Sequence, residues 1–91
     1  MDFEYDPEKS ASNKIKHGID FEEAQELWKD PDVLEVPSVY AGEDRYLVIG
    51  KINDLGWTAI VTRPEDVTRI ISVRRSRAYE AQSYDHSKRT R

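Results

Sequence analysis

The sequence predicts an α+β domain in which two N-terminal helices and a C-terminal helix pack on one face of an antiparallel β-sheet meander. Three observations predict it. Helix start and stop signals crowd the first 31 residues, the apolar period drops towards two from Val33 onward, and the connections beyond that point are too short for parallel crossovers. One core is all that 91 residues can hold.

Asp6-Pro7-Glu8-Lys9 opens the first helix. Asp6 caps free amides, Pro7 suits the first turn, and Glu8 faces the positive end of the dipole. The helix runs through Ala11 and Ile15 to Gly18, a left-handed C-cap, with Lys14, Lys16 and His17 at its negative end. Asp20-Phe21-Glu22-Glu23 reads as a capping box for the second helix, with Ile19 stapling against Ala24. Phe21, Ala24, Leu27 and Trp28 form its apolar stripe, and Asp30-Pro31 ends it. Val33–Tyr40 contains Pro37, which fits an edge strand or a strand with a bulge. Ala41-Gly42-Glu43-Asp44 turns the chain into the strand Arg45–Lys51, Asn53–Gly56 into Trp57–Thr62, and Pro64-Glu65-Asp66 into Val67–Arg74. Ser76 caps a last helix holding Ala78, Glu80, Ala81 and Tyr84. The domain is expected to span residues 1–85, and residues 86–91 to form a disordered basic tail.

Composition removes several functions. With no cysteine there is no disulfide, thiolate metal site or cysteine nucleophile. His17 and His86 stand far apart in sequence and no HExxH is present, so no metal site or cofactor is expected; GxGxxG, GK[ST] and GxSxG are missing too. The apolar runs are too short for a membrane span.

Charge is more informative. Residues 1–62 carry 6 basic and 14 acidic side chains, whereas residues 63–91 carry 8 basic and 4 acidic, so a total of -4 conceals a basic C-terminal third. Such asymmetry fits a polyanion or acidic partner at that end, or a solvated strand end with a frayed tail. Arg69, Arg74, Arg75 and Arg77 fall on the last strand and its exit. Strict alternation puts Arg69 with Arg75 on one face and Ile70 with Arg74 on the other, so Arg74 and Arg75 splay apart. Guanidinium forks match phosphate oxygens and hold their charge at any working pH. Phosphodiester cleavage without metal needs such cations, together with groups that move protons; His17, Glu80, Tyr79 and Tyr84 are the candidates, with Lys16 as a cationic helper. A purely structural alternative pairs Arg74 with Glu80 and packs Tyr84 on the sheet.

Three signatures carry a family resemblance. Phe3-Glu4-Tyr5-Asp6-Pro7-x-Lys9 followed by Asn13-x-x-Lys16-His17-Gly18-Ile19-x-Phe21-Glu22-Glu23-Ala24 resembles the opening of BrnT toxins. Gly42-Glu43-x-Arg45-Tyr46-x-x-Ile49-Gly50 resembles their middle signature. Arg69-Ile70-Ile71-Ser72-x-Arg74-Arg75, then Glu80 and Tyr84, resembles their close. The resemblance implies a RelE-like fold and a cytoplasmic, bacterial, metal-independent endoribonuclease toxin of a type II toxin–antitoxin pair. It also implies a BrnA-like antitoxin that binds the toxin and carries the DNA-binding domain, so DNA is met only indirectly; a dimer of toxin–antitoxin pairs is an admissible assembly. The chain departs from the pattern at Val61, where a tyrosine is usual, at Arg77, where a threonine caps the last helix, and at Tyr40, near a usual histidine.

Two readings follow. In the first, Arg74, Arg75 and Lys16 hold the scissile phosphate of RNA, Glu80 or His17 activates the 2′-hydroxyl, and Arg63, Arg77, Arg69 and Tyr84 extend the RNA track. In the second, the chain is a catalytically weak binding module that holds the antitoxin and tunes operon repression, which suits the -8 segment.

Overall fold

A computed structural model describes residues 1–38 and 44–90. In order the elements are β1 (Asp2–Glu4), α1 (Pro7–His17), a 3₁₀ helix (Glu23–Lys29), β2 (Leu34–Pro37), β3 (Arg45–Ile52), β4 (Leu55–Thr62), β5 (Val67–Arg75) and α2 (Ala78–Arg89). The expected turn at 41–44 lies largely outside the described residues, as do Tyr40, Gly42 and Glu43.

α1 forms for the reasons its sequence gives. Asp6 Oδ1 accepts the Glu8 N–H at 2.8 Å, and Gly18, at φ 82°, donates its N–H to the Lys14 carbonyl. Its docking surface, however, is polar. Ile15 is 89% exposed, while Ser10 and Asn13 are buried. Ser10 Oγ accepts the Phe21 N–H at 2.9 Å. Asn13 donates to the Ile19 and Val73 carbonyls and accepts the Val73 N–H, so its amide stands in for a strand along the part of β5 that β1 does not reach.

The second helical segment keeps its expected capping box, with the Glu23 N–H on Asp20 Oδ1 at 2.7 Å and the Asp20 N–H on Glu23 Oε1 at 3.0 Å. It winds as a 3₁₀ helix rather than an α-helix. The apolar spacing explains this: Phe21, Ala24 and Leu27 recur every three residues, and three per turn aligns them on one line over the sheet. All three are at most 1% exposed.

The sheet order is β1-β5-β4-β3-β2. From β2 to β5 it is the expected antiparallel meander, and Pro37 does sit on an edge strand. β1 pairs parallel to β5 from Asp2↔Val67 to Glu4↔Arg69, which makes the sheet mixed; three residues are too few for a periodicity to show. Asn53 and Asp54, both at positive φ, close the β3–β4 hairpin as a tight two-residue turn.

A bulge decides which way the arginines point. Val61 pairs with Ile70 and Ile60 with Ser72, leaving Ile71 as an extra residue in β5. Strict alternation across this point therefore fails. Ile70 and Val73 share the core face with Trp57, Ala59, Val61 and Val48, beneath Phe21, Ala24 and Leu27. Arg74, next to Val73, is turned to the opposite face and Arg75 to the core side. α2 crosses that opposite face, against Ile49, Thr58 and Arg74, so the helices cover both faces of the sheet and not one. α2 continues through Arg89, past residue 85 where a tail was expected to begin.

Candidate functional site

The residues gathered at the exit of β5 form the most constrained polar cluster in the molecule. Arg74 and Thr58 are cross-strand partners, and Glu80 reaches both from the first turn of α2. Arg74 Nη1 donates to Glu80 Oε1 and Nη2 to Oε2, each at 2.8 Å. Thr58 Oγ1 donates to Oε1 at 3.0 Å, and the Arg77 N–H to the same oxygen at 2.8 Å. The Glu80 side chain is fully buried and that of Arg74 is 18% exposed.

These contacts set the charges. Burial alone would raise the Glu80 pKa, but the Arg74 guanidinium, the Arg77 amide and the Thr58 hydroxyl outweigh it and hold the carboxyl at about 2. The hydrogen bond it donates to Glu80 raises the Arg74 pKa in turn. A carboxylate held so low, with both oxygens engaged, is a weak base and a firm anchor.

Arg74 retains donors. Its end-on fork, Nη1 and Nη2, is taken by Glu80, and the second Nη1 proton reaches the Arg75 carbonyl at 3.3 Å. The side-on pair, Nε–H and the outer Nη2–H, is used by neither Glu80 nor the Arg75 carbonyl. Beside it a groove of about 510 Å³ is lined by Arg74, Arg77, Tyr79, Leu47 and residues 36–38. Tyr79 is half exposed and interacts with the Arg74 guanidinium.

The structure thus brings Arg74, Arg77 and Glu80 together with Tyr79. It does not bring in the other sequence candidates. Arg75 turns away, its Nε–H on the Gly56 carbonyl at 2.9 Å and its guanidinium 5.4 Å from the Trp57 ring centre. Lys16 and His17 end α1 with no hydrogen bond or ion pair to the cluster among the described residues. Arg63 pairs with Glu35 and lies over Tyr46, and Arg69 pairs with Glu4 at 3.3 Å. Both line a separate hollow of about 260 Å³ with Thr62, Pro64 and Asp44.

Tyr84 is buried, and its hydroxyl donates to Asp30 Oδ2 at 2.7 Å; burial and the Asp30 carboxylate both raise its pKa. It packs α2 onto the sheet beside Ile49 and Lys51. Ser76 does not cap α2 either. Arg77 is the N-cap residue, its N–H satisfied by Glu80, and the Ser76 hydroxyl lies 3.0 Å from that of Thr58. Thr58 was missed; its one sequence signal is a lone hydroxyl in the apolar run Trp57–Val61.

The model of a family described as ribonuclease toxin, BrnT, of type II toxin–antitoxin system matches residues 5–80. The chain belongs to the BrnT family. No curated protein matches it. As a BrnT ribonuclease toxin it has a cognate antitoxin as its partner. The match extends from the entry of α1 to Glu80, so it includes every residue of the Arg74 cluster. Among the described residues, no helix is long and apolar enough to cross a membrane, and no three His, Asp or Glu side chains gather to hold a metal.

Proposed function

We propose that this BrnT toxin cleaves RNA without a metal ion in the groove beside Arg74. The observation that carries the proposal is the divided guanidinium: one fork is locked on a buried carboxylate, the other is not used by it, and the residue lines the groove. A bidentate pair of N–H groups suits two phosphate oxygens, and its cation offsets the charge that builds as the phosphorus becomes five-coordinate. Arg77 adds a second positive charge on the groove wall.

In the proposed reaction the 2′-oxygen of the substrate attacks phosphorus and the bond to the 5′-oxygen breaks. A 2′,3′-cyclic phosphate and a 5′-hydroxyl end result. The 2′-hydroxyl loses a proton and the leaving oxygen gains one. Tyr79, a residue of the groove lining, transfers it in this reading. Glu80 acts on Arg74 rather than on the substrate. Work on RNA places the protein in the cytoplasm, where its antitoxin, BrnA-like, holds it inactive and supplies the contact with DNA.

The test is incubation of antitoxin-free protein with a defined single-stranded RNA in excess EDTA, with Arg74→Ala as control. Cyclic or 3′-phosphate ends, reduced about 100- to 1000-fold in the variant, are expected. Cleavage that EDTA abolishes, or that survives in Arg74→Ala, overturns the proposal.

A further inference from the structure

We propose that Thr58 is a positioning residue for RNA cleavage, its hydroxyl holding the Glu80 carboxylate in the one orientation that does not consume the side-on fork of Arg74. The inference rests on the assignment of Arg74 as the phosphate-binding group. It adds a residue that makes no contact with the groove.

The proton count fixes the direction of the hydrogen bonds. Thr58 has a single hydroxyl proton, and it goes to Glu80 Oε1 at 3.0 Å. The contact of 3.0 Å between the Thr58 and Ser76 oxygens is then a donation from Ser76 to Thr58. A chain runs from Ser76 through Thr58 to Glu80 and ends on Arg74. It is fastened at both ends, because the Ser76 N–H donates to the Gly56 carbonyl at 3.1 Å and Arg74 lies opposite Thr58 in the sheet. Thr58 is 0% exposed, so water cannot replace its proton at the carboxylate.

The consequence concerns which fork Arg74 uses. Carboxylates accept guanidinium groups end-on or side-on, and both arrangements are bidentate. Oε1 takes three donors here, from Thr58, Arg74 and Arg77, and Oε2 takes one. With Thr58 and the Arg77 amide both directed at Oε1, the carboxylate plane is set and Arg74 meets it end-on. Loss of the Thr58 proton frees the plane to turn. Arg74 then has access to the side-on arrangement, which consumes the same Nε–H that the phosphate requires.

Thr58→Val preserves the shape and β-branching of the side chain and removes only the donor; Thr58→Ser restores it. Single-turnover cleavage of a defined RNA should slow about tenfold in Thr58→Val, with KM within about twofold, and recover in Thr58→Ser. Ser76→Ala, further along the chain, should lose about threefold. A second readout needs no activity: the Arg74 Nε–H resonance, followed by NMR during titration with inorganic phosphate. In the wild type it should move with phosphate. In Thr58→Val it should begin shifted and respond weakly, while the backbone amide spectrum stays native. A Thr58→Val protein that cleaves at the wild-type rate and keeps the wild-type Nε–H response overturns the inference, whatever its melting temperature. An Arg74→Ala protein that cleaves like wild type overturns the underlying assignment instead. Should the free RNA resist every form, the Nε–H resonance alone decides on Thr58.

Discussion

The two faces of the sheet are held by different physics. On one, Phe21, Ala24 and Leu27 press onto Val48, Ala59, Val61, Ile70 and Val73, all close to fully buried. On the other, α2 is fastened by an ion pair, two hydroxyls and the Tyr84–Asp30 bond. Apolar burial is non-directional and tolerates modest repacking. A buried ionic cluster does not, because each lost partner strands a charge or a donor. The face held by apolar burial is thus distinct from the face that fixes geometry, and the groups proposed to act on RNA stand on the second.

Substitutions can break this contrast. The largest expected effect is that of Glu80→Ala, which leaves the Arg74 cation without its buried partner; a loss of about 3–5 kcal/mol by denaturant unfolding, together with loss of cleavage, is expected. Leu27→Ala on the apolar face should cost about 2–5 kcal/mol in the same measurement. Its cleavage rate, measured well below its melting temperature, should stay near wild type. Equal activity losses in the two variants would erase the distinction between the faces.

The pH dependence sharpens it. Glu80 has its pKa lowered from 4.5 to about 2 on folding. A depressed carboxyl contributes its stabilisation in full above the unfolded value and loses it as pH falls through the folded one. Thermal melts should therefore decline from about pH 4.5 down to about pH 2, and Glu80→Gln should flatten part of that decline. The smallest effect is expected at Gly18, whose φ of 82° suits no other residue without strain; Gly18→Ala should cost about 1 kcal/mol in thermal or denaturant unfolding and leave cleavage unchanged.

What the sequence revealed follows the same division. α1 was legible because its signals are local: Asp6, Pro7 and Gly18 act within their own turn. The meander was legible from its short turns and period-two strands. β1 was not, since a three-residue parallel partner of β5 depends on a segment more than 60 residues away. Nor was the winding of Glu23–Lys29, where the spacing of three competes with the stripe completed by Trp28. At the site, Arg74 with Glu80 was within reach as a structural pairing, and so was Tyr84 as a packing residue. The structural reading and the proposed one meet at Arg74, whose partner Glu80 takes two of its five N–H donors. Lys16 and His17 were legible as basic residues in the last turn of α1, but their distance from the Arg74 cluster was not. The side of the sheet that Arg74 faces could not be counted from Ile70, because one unpaired residue, which periodicity cannot reveal, breaks the alternation between them.

That residue, Ile71, also makes β5 tolerant of a change in gene length. Pairing resumes on either side of it, at Ile70 with Val61 and at Ser72 with Ile60. Removal of its codon would join the two registers into an unbroken ladder, with Arg74 still opposite Thr58. Loss of that one residue would thus leave the side chains beyond the bulge on their present faces, and the cluster around Arg74 takes its place from its pairing with β4.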